Sequence, residues 1–157
     1  VSDEAPEKPR FELGTDGPTA ILVGVDDTVT ANRAASYAAG LARRQRARLI
    51  VVFVVPTTSI AAVSPAGAAA IVAEAEAHEE IAKGLRKRVD QASAELGVEA
   101  KFVVAHGDAY SEIKRVADEM RADAIVVGAS AKAGHRLIGS LAVRLVRAGR
   151  WPVTVVP

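Results

Sequence analysis

Cysteine is absent from the 157 residues, which excludes disulfides, thiolate metal sites and a cysteine nucleophile and fits a reducing compartment. Aromatic side chains make up only 4% of the chain, whereas apolar residues reach 50%. Ala, Val, Leu and Ile must therefore fill the core, as they do where helices lie on a Val/Ile-rich sheet. Charge of one sign is also lacking. Lys and Arg number 20 against 19 Asp and Glu, a net +1, so no domain-wide basic field exists to hold DNA or RNA. The arginines do cluster, at Arg43, Arg44, Arg46 and Arg48 and again at Arg144, Arg147 and Arg150, and both sets are expected on solvated helix faces or ends. Long apolar runs are missing as well. The longest are strand-sized and no charged n-region with an apolar h-region opens the chain, so neither a membrane helix nor a signal peptide is expected, and cytoplasm is the expected compartment.

What is present fits one domain with one hydrophobic core. Residues 1–19, with Pro6, Pro9, Pro18 and scattered charges, show neither helical nor strand periodicity and read as a flexible tail. The domain is expected to span 20–157. It opens on Ile21-Leu22-Val23-Gly24-Val25, a short apolar run without alternation, as in a strand buried on both faces. Ala34, Tyr37, Ala38, Leu41 and Ala42 then recur at helical spacing over 31–44. A second buried strand runs from Leu49 to Val55 and is closed by Pro56, which has no N–H for a ladder.

The Thr-, Ser-, Pro- and Ala-rich stretch from Thr57 to Gly67 reads as a loop. Beyond it Ile71, Ala75, His78, Ala82, Leu85, Val89, Ala92 and Leu96 mark one long amphipathic helix over 68–96, ended by Gly97. His78 sits on its apolar stripe and is expected in a core or interface. Phe102-Val103-Val104-Ala105 is a third strand, Asp108 a good N-cap for a helix using Ile113, Val116, Ala117 and Met120, and Ala124-Ile125-Val126-Val127 a fourth strand. Leu141, Ala142, Leu145 and Val146 line a last helix, and Val153-Thr154-Val155-Val156 finishes the chain as a fifth strand.

Strands alternating with helices imply right-handed crossovers and a parallel sheet covered on both faces. The pattern does not define strand order. In either common order a ligand crevice opens beyond the carboxyl ends of the strands, where the order reverses. The loops that matter are therefore 26–30, 53–60, 106–109 and 128–140.

At those loops the sequence resembles the universal stress protein family. The resemblance is carried by Ile21-Leu22-Val23-Gly24-Val25-Asp26, His106-Gly107-Asp108, Ala122-Asp123-Ala124-Ile125-Val126-Val127-Gly128, Gly139-Ser140 and Trp151-Pro152-Val153-Thr154-Val155-Val156. It implies a three-layer α/β fold of the adenine nucleotide alpha hydrolase-like kind, a doubly wound five-stranded parallel sheet of order 3-2-1-4-5. It also implies a homodimer paired through the last strand, with Val153 and Val155 at the interface. Family members that bind ATP or AMP, with Mg, use an Asp after the first strand, main chain after the second, and a loop of Gly, two residues, Gly, nine residues, Gly-Ser. Carried over, these are Asp26, the neighbourhood of Phe53 and Val54, Gly128, and Gly139-Ser140, with Lys132, His135 and Arg136 able to lean over an anion. The middle of the motif departs: Ala131 stands at the second Gly, and seven residues, Lys132 to Ile138, separate it from Gly139. A glycine there would let main chain approach a phosphate without a Cβ. The resemblance thus implies a stress-response protein binding an adenine nucleotide weakly or atypically, with no catalysis beyond slow, incidental ATP hydrolysis. The alternative is a dimeric protein-interaction module without nucleotide.

Each site residue also has a purely structural reading: Asp26 capping its own turn, and Gly139-Ser140 capping a helix. The window Gly134 to Ser140 lacks the Lys of a P-loop, and Gly128 to Lys132 lacks the last glycine of a nucleophile elbow. His106 and His135, expected in loops, are too far apart in sequence for a metal pair, and no metal is expected. A phosphoacceptor receiver domain is a competitor, because Asp26, Asp27, Asp108 and Ser130 imitate its pocket. The absence of a Lys after the fifth strand and the long excursion from Thr57 to Gly97 weigh against it.

Overall fold

A computed structural model describes residues 17–57, 64–130 and 139–157. Five strands, β1 (Ala20–Val25), β2 (Arg48–Val55), β3 (Ala100–His106), β4 (Ala124–Gly128) and β5 (Val153–Val156), alternate with four helices, α1 (Val29–Gln45), α2 (Pro65–Leu96), α3 (Ala109–Glu119) and α4 (Ser140–Ala148). The strands form one sheet of order β3-β2-β1-β4-β5, and every neighbouring pair is parallel. This is the doubly wound sheet that the resemblance implied.

Period-two alternation divides the apolar residues into two cores. Ile21, Val23, Val25, Leu49, Val51 and Phe53 face α1 and α2. Leu22, Ile50, Val52, Ile125 and Val127 face α3 and α4. That is why these strands read as unbroken apolar runs: each residue has a layer to enter on one side or the other. The buried face of α1 is wholly alanine, Ala31, Ala34, Ala38, Ala39 and Ala42, which brings the helix axis close to the sheet. At the amino-terminal edge of the sheet, Asp123 Oδ2 accepts hydrogen bonds from Thr19 N, Thr19 Oγ1 and Ala20 N at 2.9, 2.8 and 2.9 Å. These contacts tie the start of β1 to the approach to β4.

Several expectations need correction. α1 starts at Val29 rather than Ala31 because Thr28 caps it, its side chain accepting from Ala31 N. α2 starts at Pro65, ahead of Ala68, because Ser64 caps it and Pro occupies the first turn. Residues 58–63 of the expected loop lie outside the described residues. The apolar stripe of α2 is only partly buried: Leu85 is the buried position of the helix, Ala82, Val89 and Leu96 are half-buried against the core, and Ile71 is 38% exposed. Val146 of α4, expected on the packed face, is 58% exposed, whereas Ala142 and Leu145 are buried. His106 closes β3 rather than lying in a loop, and His135 is outside the described residues. The arginines of both clusters are exposed as expected, save the half-buried Arg48, and several are also paired. Arg144 pairs with Asp108, Arg150 with Asp118, and Arg48 donates to the Met120 carbonyl.

Candidate functional site

The order of the sheet reverses between β1 and β4, and there a crevice of about 450 Å³ opens at the carboxyl ends of the strands. Its first wall is the β1–α1 connection. Asp26 follows β1, and its Oδ1 accepts from Thr28 N at 3.1 Å and from Thr28 Oγ1 at 2.6 Å. Thr28 Oγ1 lies 3.3 Å from Thr30 Oγ1, so Asp26, Thr28 and Thr30 form a connected polar rim. Asp26 therefore does cap its own turn, and it also lines the crevice. The two threonines were not singled out in the sequence, although Thr ahead of a periodic segment is an N-cap signal.

Gly128, at the end of β4, forms the floor. A Cβ there would lie 2.7 Å from the Thr30 carbonyl carbon and 2.8 Å from Ala31 N. The first turn of α1 rests directly on this glycine. Close approach of protein to protein is thus a sufficient reason for a glycine at 128.

Opposite the rim stands the amino terminus of α4. Gly139 is its N-cap and makes no side-chain capping hydrogen bond. Ser140 occupies the first helical position, so its hydroxyl is not the cap that the sequence suggested. The opening N–H groups of a helix have no intrahelical acceptor, and the helix dipole adds positive potential at that end. Gly139 packs against Ser130, a Cβ at 139 lying 3.0 Å from Ser130 Cβ, so the two ends of the 128–140 loop meet at the crevice. Its deeper surface is apolar, with Val54, Ile113, Val127 and Leu141.

A second polar cluster holds α4 in place. Arg144 donates to Asp108 Oδ1 and Oδ2 at 3.1 and 3.2 Å, and its guanidinium lies 4.2 Å from the centroid of the Tyr110 ring. Asp108 also caps α3, its Oδ2 accepting from Ser111 N and Ser111 Oγ at 3.0 and 2.9 Å. The Arg144 guanidinium, with the two Ser111 donors, holds the Asp108 carboxyl down to about 2.

Of the residues singled out in the sequence, the crevice gathers Asp26, Val54, Gly128, Gly139 and Ser140. The side chain of Phe53 points into the opposite layer, its ring centroid 6.5 Å from that of His78. Lys132, with Ala131, Gly134, His135 and Arg136, lies outside the described residues. Asp26 is the one charged side chain lining the crevice among the described residues. Asp108 does not line it: β3 is separated from β1 by β2, an order unlike that of a receiver, in which β1 and β3 are neighbours. No group of three or more His, Asp or Glu among the described residues is arranged to hold a metal ion, and no described helix is long and apolar enough to cross a membrane.

This architecture is shared with known proteins. A universal stress protein of Methanocaldococcus jannaschii is 28% identical over 138 residues, covering 87% of this chain and 80% of its own length. The solved structure of the universal stress protein UspA from Lactobacillus plantarum superposes with a TM-score of 0.72 at 28% identity, over 88% of this chain and 97% of that one. The universal stress protein from Archaeoglobus fulgidus in complex with dAMP shares the fold at a TM-score of 0.58 and 22% identity, over 88% of this chain and 98% of that one. The profile of the universal stress protein family matches residues 19–157. Those residues include all five strands, the polar rim, Gly128 and the glycine-capped start of α4, and the chain belongs to the universal stress protein family.

Proposed function

We propose that this chain is a non-catalytic stress-response regulator, acting as a homodimer paired through β5 and binding an adenine nucleotide in the crevice between β1 and β4. The observation that carries this reading is the amino terminus of α4, where the N-cap is Gly139 and has no side chain to satisfy the first N–H groups, opening on a crevice of about 450 Å³. The phosphate of AMP, or of ATP with Mg, meets the α4 N–H groups. The sugar hydroxyls meet the rim formed by Asp26, Thr28 and Thr30, and the purine lies on the apolar side chains around Val54 and Ile113. That the fold can seat an adenine nucleotide is supported by the Archaeoglobus fulgidus relative in complex with dAMP.

Calorimetry with AMP, ADP and ATP plus Mg tests the reading. Saturable binding is expected, and it should be lost in Ser140→Trp, which blocks the start of α4. Absence of any heat or thermal stabilisation at millimolar nucleotide would overturn it.

A second reading, an interaction module without nucleotide, is favoured by two observations. The lining charge among the described residues is acidic, at Asp26, and Gly128 already has a packing role against Thr30. Under that reading Ser140→Trp leaves stress tolerance of cells intact, whereas disruption of the β5 edge abolishes it.

A further inference from the structure

On the sheet face away from α3 and α4, a separate groove of about 440 Å³ runs between α1 and α2. It exists because the facing helix surfaces are small. Ala35, Ser36 and Ala39 on α1 and Ala92 and Ser93 on α2 line it, and side chains this small do not fill the space between the two helices above the sheet. The groove follows β2 from Leu49 to the level of Val25, which pairs with Phe53. That is a length of about 13 Å.

Its interior behaves as hydrocarbon. Ser36 Oγ donates to the Asn32 carbonyl at 3.1 Å and Ser93 Oγ to the Val98 carbonyl at 2.6 Å, so both hydroxyls are satisfied within their own local structure. The walls are Leu49, Val51, Leu85, Val89, Leu96 and Val98. One end differs. Arg88 lines it beside Asn32 in the first turns of α1, and Arg88 Nη2 is held by Asp27 Oδ1 at 2.6 Å. Asp27 stands in the left-handed region, at φ 64. A guanidinium has five N–H donors, so the ion pair fixes Arg88 at the mouth while further donors remain. The start of α1 adds its dipole at the same end.

An elongated apolar slot with the spare N–H donors of the Asp27-paired Arg88 at one end is complementary to a single-chain amphiphile with a hydrogen-bond-accepting anionic head. We propose that the α1–α2 groove binds a medium-chain fatty acid, its carboxylate on Arg88 and its acyl chain running between Ala39 and Ala92 toward Leu96. The site is separate from the crevice at β1 and β4, and the proposal does not depend on nucleotide binding.

The test is calorimetry of the full chain with sodium decanoate below its micelle concentration, and with 1-decanol as the neutral probe. Wild type is expected to bind one decanoate per chain saturably. Arg88→Gln should weaken decanoate by about tenfold, the loss of a charge-assisted contact, and leave decanol unchanged. Ala92→Phe, which fills the slot, should abolish both with the circular dichroism spectrum retained. Failure of wild type to bind decanoate, or equal decanoate affinity in wild type and Arg88→Gln, overturns the proposal. So does decanoate binding that appears only in a Phe11→Glu, Leu13→Glu variant, since the chain's own N-terminal segment would then be the occupant. A change of oligomeric state in Ala92→Phe would assign the groove to a second copy and equally overturn it.

Discussion

A single methyl group at position 128 would meet the Thr30–Ala31 peptide, 2.7 Å from the Thr30 carbonyl carbon and 2.8 Å from Ala31 N. Neither can yield without moving the start of α1. Gly128→Ala should therefore destabilise the fold by about 1–3 kcal/mol, as overpacking does, and appear in urea unfolding as a lower midpoint at an unchanged slope. Asp108 allows a different test. Its carboxyl lies at about 2, below the ordinary 3.8, so the ionised form favours the folded state. That contribution is complete above the unfolded value and disappears as pH falls through the folded one. In urea titrations across pH, Asp108→Asn should be less stable than wild type by a constant margin from neutrality down to about pH 4, a margin that closes toward pH 2. The Asp108 side chain is about half exposed, so the margin is expected to be small and to shrink further with added salt.

Helix α2 shows what an element can and cannot reveal through its sequence. Its stripe of apolar residues and the glycine at 97 mark a long helix, and Gly97 does stop it in the left-handed conformation. The stripe does not reveal whether anything lies beneath it. A helix of 32 residues is about 48 Å long, while the eight residues of β2 extend about 27 Å, so the helix must outrun the sheet. Ile71 and Val72 accordingly remain exposed. Strand order was illegible for a related reason: apolar runs show that strands are buried, and the resemblance rather than the pattern supplied 3-2-1-4-5. The site was legible where it rests on strand ends, at Asp26 and Gly128. The resemblance pointed beside it to main chain near Phe53 and Val54, and alternation sends the Val54 side chain into the crevice and that of Phe53 to the other face. Gly84 makes the element's own prediction. It lies exposed in the middle of α2, and a Cβ there would meet nothing within 4 Å. Gly84→Ala should thus stabilise the protein by about 0.5–1 kcal/mol through helix propensity alone, measured as a raised urea midpoint.

For the whole molecule, β5 is the exposed edge of the sheet beyond β4. Ile125 N donates to the Pro152 carbonyl at 3.0 Å and Ala129 N to the Val156 carbonyl at 2.7 Å. Alternate residues of a parallel strand serve opposite neighbours, so Thr154 also serves β4, and Val153 and Val155 turn their N–H and C=O groups to the open side. Val155→Pro removes a donor from that side while sparing the bonds to β4. If two chains pair there, sedimentation should change from dimer to monomer, with the monomer still folded. An unchanged dimer would place the interface elsewhere. The sheet has one more property at this scale, since its two faces carry two separate cores. Leu85 belongs to one and Ile113 to the other, so Leu85→Ala and Ile113→Ala should add in the double variant to within about 0.3–0.5 kcal/mol. The strands act as a bulkhead between two compartments. Away from the crevice that both layers line, a packing change in the α1–α2 layer is absorbed on its own side of the partition and leaves the α3–α4 layer untouched.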